Sequence, residues 1–320
     1  MKLSGASELS DSILSNCTIC PHNCRVNRVK GKKGFCRAGY RPVISSAMPH
    51  HGEEPPISGN RGSGTIFFSH CNMKCVYCQN YQISQELEGA EYSISGLTEI
   101  MLDLQNAGCH NINFVSPTIW IPQIMKALHI AREKGLSIPT VFNTGGYDRP
   151  ETIKMLDGLM DIYMPDMRYS DNKMAKKYSF VEEYVRYNRL SVKEMYRQVG
   201  GLKLTKEGVA RKGLLIRLLV LPENIGGIKN TLDFIKSELS TDVYLSIMAQ
   251  YHPVYKASKY PELNRRITAK EYLDIVRYAE KKGFNYGWTQ DFILSNSEED
   301  LFMPDFKDKK VFKYYKNGGR

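Results

Sequence analysis

The chain has 320 residues, 42% of them hydrophobic and 24% charged, which is enough apolar material for a packed core and excludes a low-complexity or disordered chain. No stretch approaches the ~20 apolar residues of a membrane span. The opening MKLSGASELSDSILSN lacks the apolar core of a secretory signal, so a cytoplasmic location is expected. The net charge of +10 favours an acidic partner, but its clusters are short (Lys30, Lys32 and Lys33; Lys307, Lys309 and Lys310) and read as solvated surface.

Seven of the eight cysteines fall within residues 17–78. In a reducing compartment that crowding points to metal rather than to disulfides. The first group, CTICPHNCRVNRVKGKKGFC, carries Cys17, Cys20, Cys24 and Cys36. Four thiols, two of them as C-x2-C, would close a tetrahedral site. Pro21 after Cys20 matches the Cys-Pro of ferredoxin-type clusters. Gly31 and Gly34 let the chain turn back to Cys36. A second iron–sulfur cluster and structural zinc both fit, and a site without metal is the third option.

From residue 64 the pattern alternates strand and helix. GTIFFSH (64–70) reads as a buried strand that ends just before Cys71. GLTEIMLDLQNAG has helical spacing at Leu97, Ile100, Met101 and Leu104. NINFVS (111–116) is the next strand. IPQIMKALHIAREKG is a helix with Pro122 early and Gly135 late. IPTVFN (138–143) is a strand, RPETIKMLDG a short helix, and MDIYMPD (160–166) a strand. Residues 167–213 form a polar insert with one helical stretch around 191–199. LLIRLLVLP (214–222) and DVYLSIMAQY (242–251) are strands flanking a helix from about Ile228 to Leu239. TAKEYLDIVRYAEKKG opens with a capping box, Thr268 to Glu271, and FNYGWT (284–289) is a last short strand.

Alternating units of this kind imply a parallel sheet with right-handed crossovers, a full or partial TIM-like (β/α) barrel. The expected organisation is a Cys-rich extension over 1–60, a barrel over 61–295 and a tail over 296–320. Active sites of such barrels lie at the C-terminal ends of the strands. That rule selects Cys71–Cys78, Ser116–Thr118, Asn143–Tyr147, Pro165–Arg168 and Gln250–Pro253.

CNMKCVYCQN (71–80) places Cys71, Cys75 and Cys78 in one loop after a strand. Three thiolates can hold three irons of a [4Fe-4S] cube and leave the fourth iron open. Half of a zinc site, completed by His70 or Cys109, is the plainer reading. Cys109 otherwise reads as a buried packing residue. Arg217 lies inside an apolar strand, where a lone charge requires a partner.

The pattern C-x3-C-x-aromatic-C, with Tyr77 as the aromatic, resembles the radical S-adenosylmethionine (SAM) superfamily. CNMKCVYCQNYQIS, NINFVSPT, VFNTGGYD, DIYMPDMRY, LLIRLLVLP and IMAQYHP together resemble its pyruvate formate-lyase-activating-enzyme-like branch, over most of residues 60–290. The resemblance implies a [4Fe-4S] cluster on Cys71, Cys75 and Cys78, with SAM on the open iron. Reductive cleavage of SAM would give methionine and a 5′-deoxyadenosyl radical that abstracts hydrogen from a substrate. It implies SAM contacts from Tyr77 near adenine, from Ser116, Asn143, Asp166 and Arg168, and from Arg217, Gln250 or His252. The superfamily's glycine-rich stretch is replaced here by Ser116-Pro117-Thr118, and the Asp-x-Lys of glycyl radical activases by Asp166-Met167-Arg168.

The resemblance also implies an electron donor such as flavodoxin or ferredoxin. The substrate reading includes a glycine of a partner enzyme, a small molecule or a peptide. An RNA substrate would need stacking aromatics on a basic face, and Tyr169, Tyr178, Tyr184, Tyr187 and Tyr196 of the insert supply that composition. No RNA-binding module is recognisable, so nucleic acid is not the expected partner. A zinc-stabilised binding protein without enzymatic activity is the remaining alternative.

Overall fold

The computed structural model describes residues 11–290 and Phe306. Its strands are β1 (Val43–His50), β2 (Ser63–Phe68), β3 (Ala90–Glu91), β4 (Ile112–Val115), β5 (Thr140–Thr144), β6 (Ile162–Pro165), β7 (Lys203–Leu204), β8 (Ala210–Leu219), β9 (Tyr244–Met248) and β10 (Gly287–Thr289). The helices are α1 (Pro55–Ser58), α2 (Tyr81–Ser84), α3 (Ile94–Asn106), α4 (Ile121–Glu133), α5 (Pro150–Lys154), α6 (Asn172–Ser179), α7 (Tyr184–Val199), α8 (Ile228–Glu238) and α9 (Ala269–Lys282).

The strands β2, β4, β5, β6, β8, β9 and β10 are parallel and lie side by side in chain order. Unbroken order with right-handed crossovers winds the sheet in one direction and puts the helices on one face, as in a TIM-like barrel. The hydrogen-bonded path runs from β10 to β3 without closing among the described residues, so the barrel is partial. Strands covered on both faces need continuous apolar runs. Every residue of β2 and β4 is accordingly buried.

Local chemistry sets the helix ends. Ser93 caps α3 by accepting from Gly96 N at 3.0 Å. Asp171 does the same for α6 through Lys173 N. The capping box expected at Thr268 forms in full, and Gly283 ends α9 in a left-handed conformation.

The expected elements appear, with ends moved by a few residues. Three features differ. β1, inside the extension, pairs antiparallel with β2, so the sheet begins at Val43 rather than beyond residue 60. The insert holds two helices, α6 and α7, not one. Three of its five tyrosines, Tyr169, Tyr178 and Tyr184, are buried and offer no stacking platform. Of the expected tail over 296–320 only Phe306 is described, edge-on to Phe67 at 5.4 Å. Cys109 is buried in the core as expected.

The link from β1 to β2 crosses the N-terminal end of the barrel. There α1 puts Ile57 among Val141, Ile162 and Leu215, and Asn111 donates to the Ile57 carbonyl at 2.7 Å. The barrel floor is thus closed by the extension, which also carries Glu53 and Glu54 into the interior.

Candidate active site

β2 delivers the chain to His70, which takes a positive φ of 69° and turns it into the Cys71–Cys78 loop. The loop is braced from two sides. The end of α6 accepts from it, Lys74 N to Ser179 O at 3.0 Å and Val76 N to Tyr178 O at 2.9 Å. The segment after β9 donates Lys256 N to Val76 O at 2.8 Å. Ser179 Oγ donates to Cys75 Sγ at 3.0 Å, and Cys78 Sγ meets Ser84 Oγ at 3.3 Å. Burial, then repulsion from Cys75, pushes Cys71 up to about 12 and Cys78 to about 11. Thiols in that state keep their protons until a metal displaces them.

The neighbouring strand ends supply a charged interior. Asp166 accepts from Arg217 Nε at 2.9 Å and pairs with Arg168 Nη2 at 2.5 Å. Arg217 Nη2 also donates to Asn143 Oδ1 at 2.8 Å. Glu53 Oε2 stands 3.6 Å from Arg217 Nη1, and Glu54 Oε1 4.0 Å from its Nε. Burial pushes both glutamates up, against the opposing pull of Arg217. Arg217 therefore finds its partners among protein acids and Asn143. Arg168 keeps one buried donor, Nε, without a partner. It lies on the side of Gly145, close to Cys75 and Tyr77.

A model of the Radical SAM superfamily matches residues 65–235, just over half of the chain. This chain belongs to the radical SAM superfamily. The uncharacterized protein MJ0674 of Methanocaldococcus jannaschii is 32% identical over 287 residues, 86% of this chain and 77% of that one. MJ0808 of the same organism is 24% identical over 312 residues, covering 90% and 84%. Among solved structures, SuiB of Streptococcus suis bound to precursor peptide SuiA is similar in fold, with a TM-score of 0.50 at 15% identity. That match covers 71% of this chain and 48% of SuiB, so this chain spans about half of SuiB's length.

Radical SAM membership implies a [4Fe-4S] cluster and SAM, and the residues present fit both. Three soft thiols stand in one buried loop, and the unpartnered Arg168 donor lies beside them as a ready contact for an anionic group.

The other expected radical SAM contacts fall in two groups. Ser116, Asn143, Asp166 and Arg168 gather at the ends of β4, β5 and β6. Ser116 holds φ at 58°, a left-handed conformation normally left to glycine, and donates its N–H to Asn143 O at 2.9 Å. Tyr77, Gln250 and His252 are occupied by protein. Tyr77 OH shares a hydrogen bond with Tyr169 OH at 2.6 Å and its ring is edge-on to Tyr251. Gln250 is held by Gln290 and Gln79, and His252 Nδ1 by Arg266.

Sequence reasoning missed Glu53, Glu54, Asn113 and Asp148. Asp148 is fully buried and accepts from Thr118 Oγ1 at 2.6 Å and Thr144 Oγ1 at 2.8 Å, tying the ends of β4 and β5 together. Burial raises its carboxyl to about 6 against those two hydrogen bonds.

The N-terminal cysteines are joined to this site. His22 Nε2 bonds Asn72 O at 2.8 Å, and His70 Nδ1 bonds Cys36 O at 3.0 Å. Burial first, then Cys36, Cys17 and Cys24, pushes the Cys20 thiol up, so the four thiols are neighbours. Among the described residues, no three His, Cys, Asp or Glu side chains converge as closely as a single metal ion requires. Arg28 is buried, donates to Gly39 O and Ile119 O at 2.8 Å, and lies over Trp120. Its Nη2 has no partner, and its charge acts on Cys36.

Proposed function

We propose that this chain is a radical SAM oxidoreductase of the activating-enzyme-like branch that abstracts hydrogen from its substrate inside the barrel mouth. The carrying observation is the Cys71–Cys78 loop at the C-terminal end of β2, braced by α6 and by the segment after β9. When bound, the cluster supplies an electron to SAM, whose cleavage yields methionine and a 5′-deoxyadenosyl radical. The protein's own part is orientation and exclusion of water. Arg168 Nε and the Ser116 turn offer contacts to the carboxylate and amino ends of SAM. Asp166 holds Arg168 and Arg217 apart and in place.

A glycine of a partner enzyme is the substrate that the resemblance implies. Arg168 in place of lysine, together with the charged interior, favours a small molecule or a peptide side chain instead.

Cys17, Cys20, Cys24 and Cys36 are read as the ligands of a second iron–sulfur cluster. Structural zinc on the same four thiols is the alternative. The unpartnered Arg28 donor is the counter-charge that an anionic thiolate centre calls for. Arg25, Lys30, Lys32, Lys33 and Arg37 are exposed around this segment and suit an acidic donor such as flavodoxin or ferredoxin.

Metal counting after anaerobic reconstitution tests both assignments. Wild type should bind about eight irons, and Cys71→Ala/Cys75→Ala/Cys78→Ala about four. Iron only in wild type, with zinc in the triple variant, would assign zinc to the N-terminal cysteines. No iron in either protein would overturn the proposal.

A further inference from the structure

The barrel interior beneath the cysteine loop holds more acid than base. Glu53, Glu54 and Asp166 face Arg168 and Arg217, three carboxylates against two guanidiniums. Asp166 is the best served, with a guanidinium on each oxygen. Glu53 Oε1 accepts from Asn113 Nδ2 at 3.0 Å and from Asn143 Nδ2 at 3.4 Å. Glu54 is served on one side only, where Ser246 and its own backbone reach its carboxylate. It is 9% exposed, its Oε1 stands 4.0 Å from Arg217, and its Oε2 has no hydrogen-bond partner. Asn113, fully buried and donating to Glu53, leaves its Oδ1 unpartnered as well.

Two buried acceptors without donors, next to a surplus of acid groups over guanidiniums, define what is missing. A buried acceptor left unmade costs about 1–3 kcal/mol, and more when charged. The complement is a group that brings N–H donors and a positive charge together. A carboxylate or phosphate would add to the surplus, and a hydrocarbon would leave both acceptors bare. The floor residues that carry the two glutamates are fixed by α1, so the acceptors are held in place rather than mobile.

We propose that this acid-rich cluster is the substrate subsite and that it takes a cationic, N–H-rich group, a primary ammonium or an alkylguanidinium, at the unpartnered acceptors of Glu54 and Asn113. The inference deepens the proposed function, since it rests on hydrogen abstraction taking place in the barrel mouth. It narrows the substrate to a small molecule or side chain that carries such a cation.

The test uses reconstituted holoenzyme and four probes of matched size: butylammonium, butylguanidinium, butyrate and butyramide. Thermal midpoints are read for wild type and Glu54→Gln. The two cations should raise the wild-type midpoint, butyrate and butyramide should not, and Glu54→Gln should weaken the cation effect at least about tenfold. Equal response to all four probes, or a cation effect unchanged in Glu54→Gln, would overturn the assignment. So would no response at all, the result expected if the two glutamates share a retained proton. If Glu54→Gln does not fold, saturation-transfer NMR on wild type decides: transfer to butylammonium that added butylguanidinium displaces, with none to butyramide, supports the subsite. Transfer to both probes, or to neither, opposes it. These readouts need no SAM cleavage, so cation binding without 5′-deoxyadenosine would remove the radical reading and leave the subsite.

Discussion

Asp148 shows at the scale of one residue how the strand ends are locked. Its carboxyl sits at about 6 because burial outweighs the two threonine hydroxyls that donate to it. The ordinary value is 3.8. A carboxyl raised on folding keeps its proton longer in the folded state, so stability is highest below pH 4 and falls as pH rises through 6. The loss for this fully buried group amounts to about 3 kcal/mol. Asp148→Asn escapes it. Side-by-side denaturant unfolding should show the variant gaining on wild type between about pH 4 and pH 6 and level with pH beyond. A difference flat across that window would contradict the assignment. The candidate metal ligands were legible in the sequence because thiol chemistry is written in residue identity. Glu53 and Glu54 were not, because two acids before two prolines look like a surface loop. Arg217 was the available signal: a lone cation in an apolar strand demands acids, and these are among those it finds. The left-handed Ser116 was invisible, since nothing in Ser-Pro-Thr announces a positive φ.

At the scale of elements, α6 is the part of the insert that serves the site. Its last residue, Ser179, accepts from Lys74 through its carbonyl and links Tyr169 OH to Cys75 Sγ through its hydroxyl. Ser179→Ala removes the link and leaves Tyr169 with Tyr77 alone. The expected cost is about 1–2 kcal/mol, with faster loss of iron to a chelator. Chelation kinetics on the reconstituted proteins measure it, and an unchanged rate would show that the backbone bonds alone hold the loop. This helix escaped sequence reading because NKMAKKYS buries only Ala175, Tyr178 and Ser179, too little periodicity to detect. β1 escaped for a related reason, as VISSAMPH alternates poorly and ends beside the polar HGEE turn. The helices with apolar stripes, α3, α4, α8 and α9, were legible to within a few residues, α3 and α9 with side-chain caps as well. Their signals are local and do not depend on distant packing.

For the whole molecule, the winding was legible and the closure was not. Strict alternation of strand and helix, with one handedness of crossover, leaves few ways to arrange the strands. Whether the sheet closes depends on edge pairing that no local pattern encodes. The extension proves to be part of the barrel: β1 continues the sheet, α1 seals the floor, and the four N-terminal cysteines lean on the active loop through His22 and His70. One chain thus brings two cysteine groups and a charged cluster to a single barrel. The most direct measurement is 5′-deoxyadenosine release from SAM under dithionite, comparing the reconstituted wild type with the Cys71→Ala/Cys75→Ala/Cys78→Ala variant. Release from wild type and none from the variant is the predicted result. Intact SAM with a wild type that holds its full iron would contradict the radical SAM chemistry assigned to this loop.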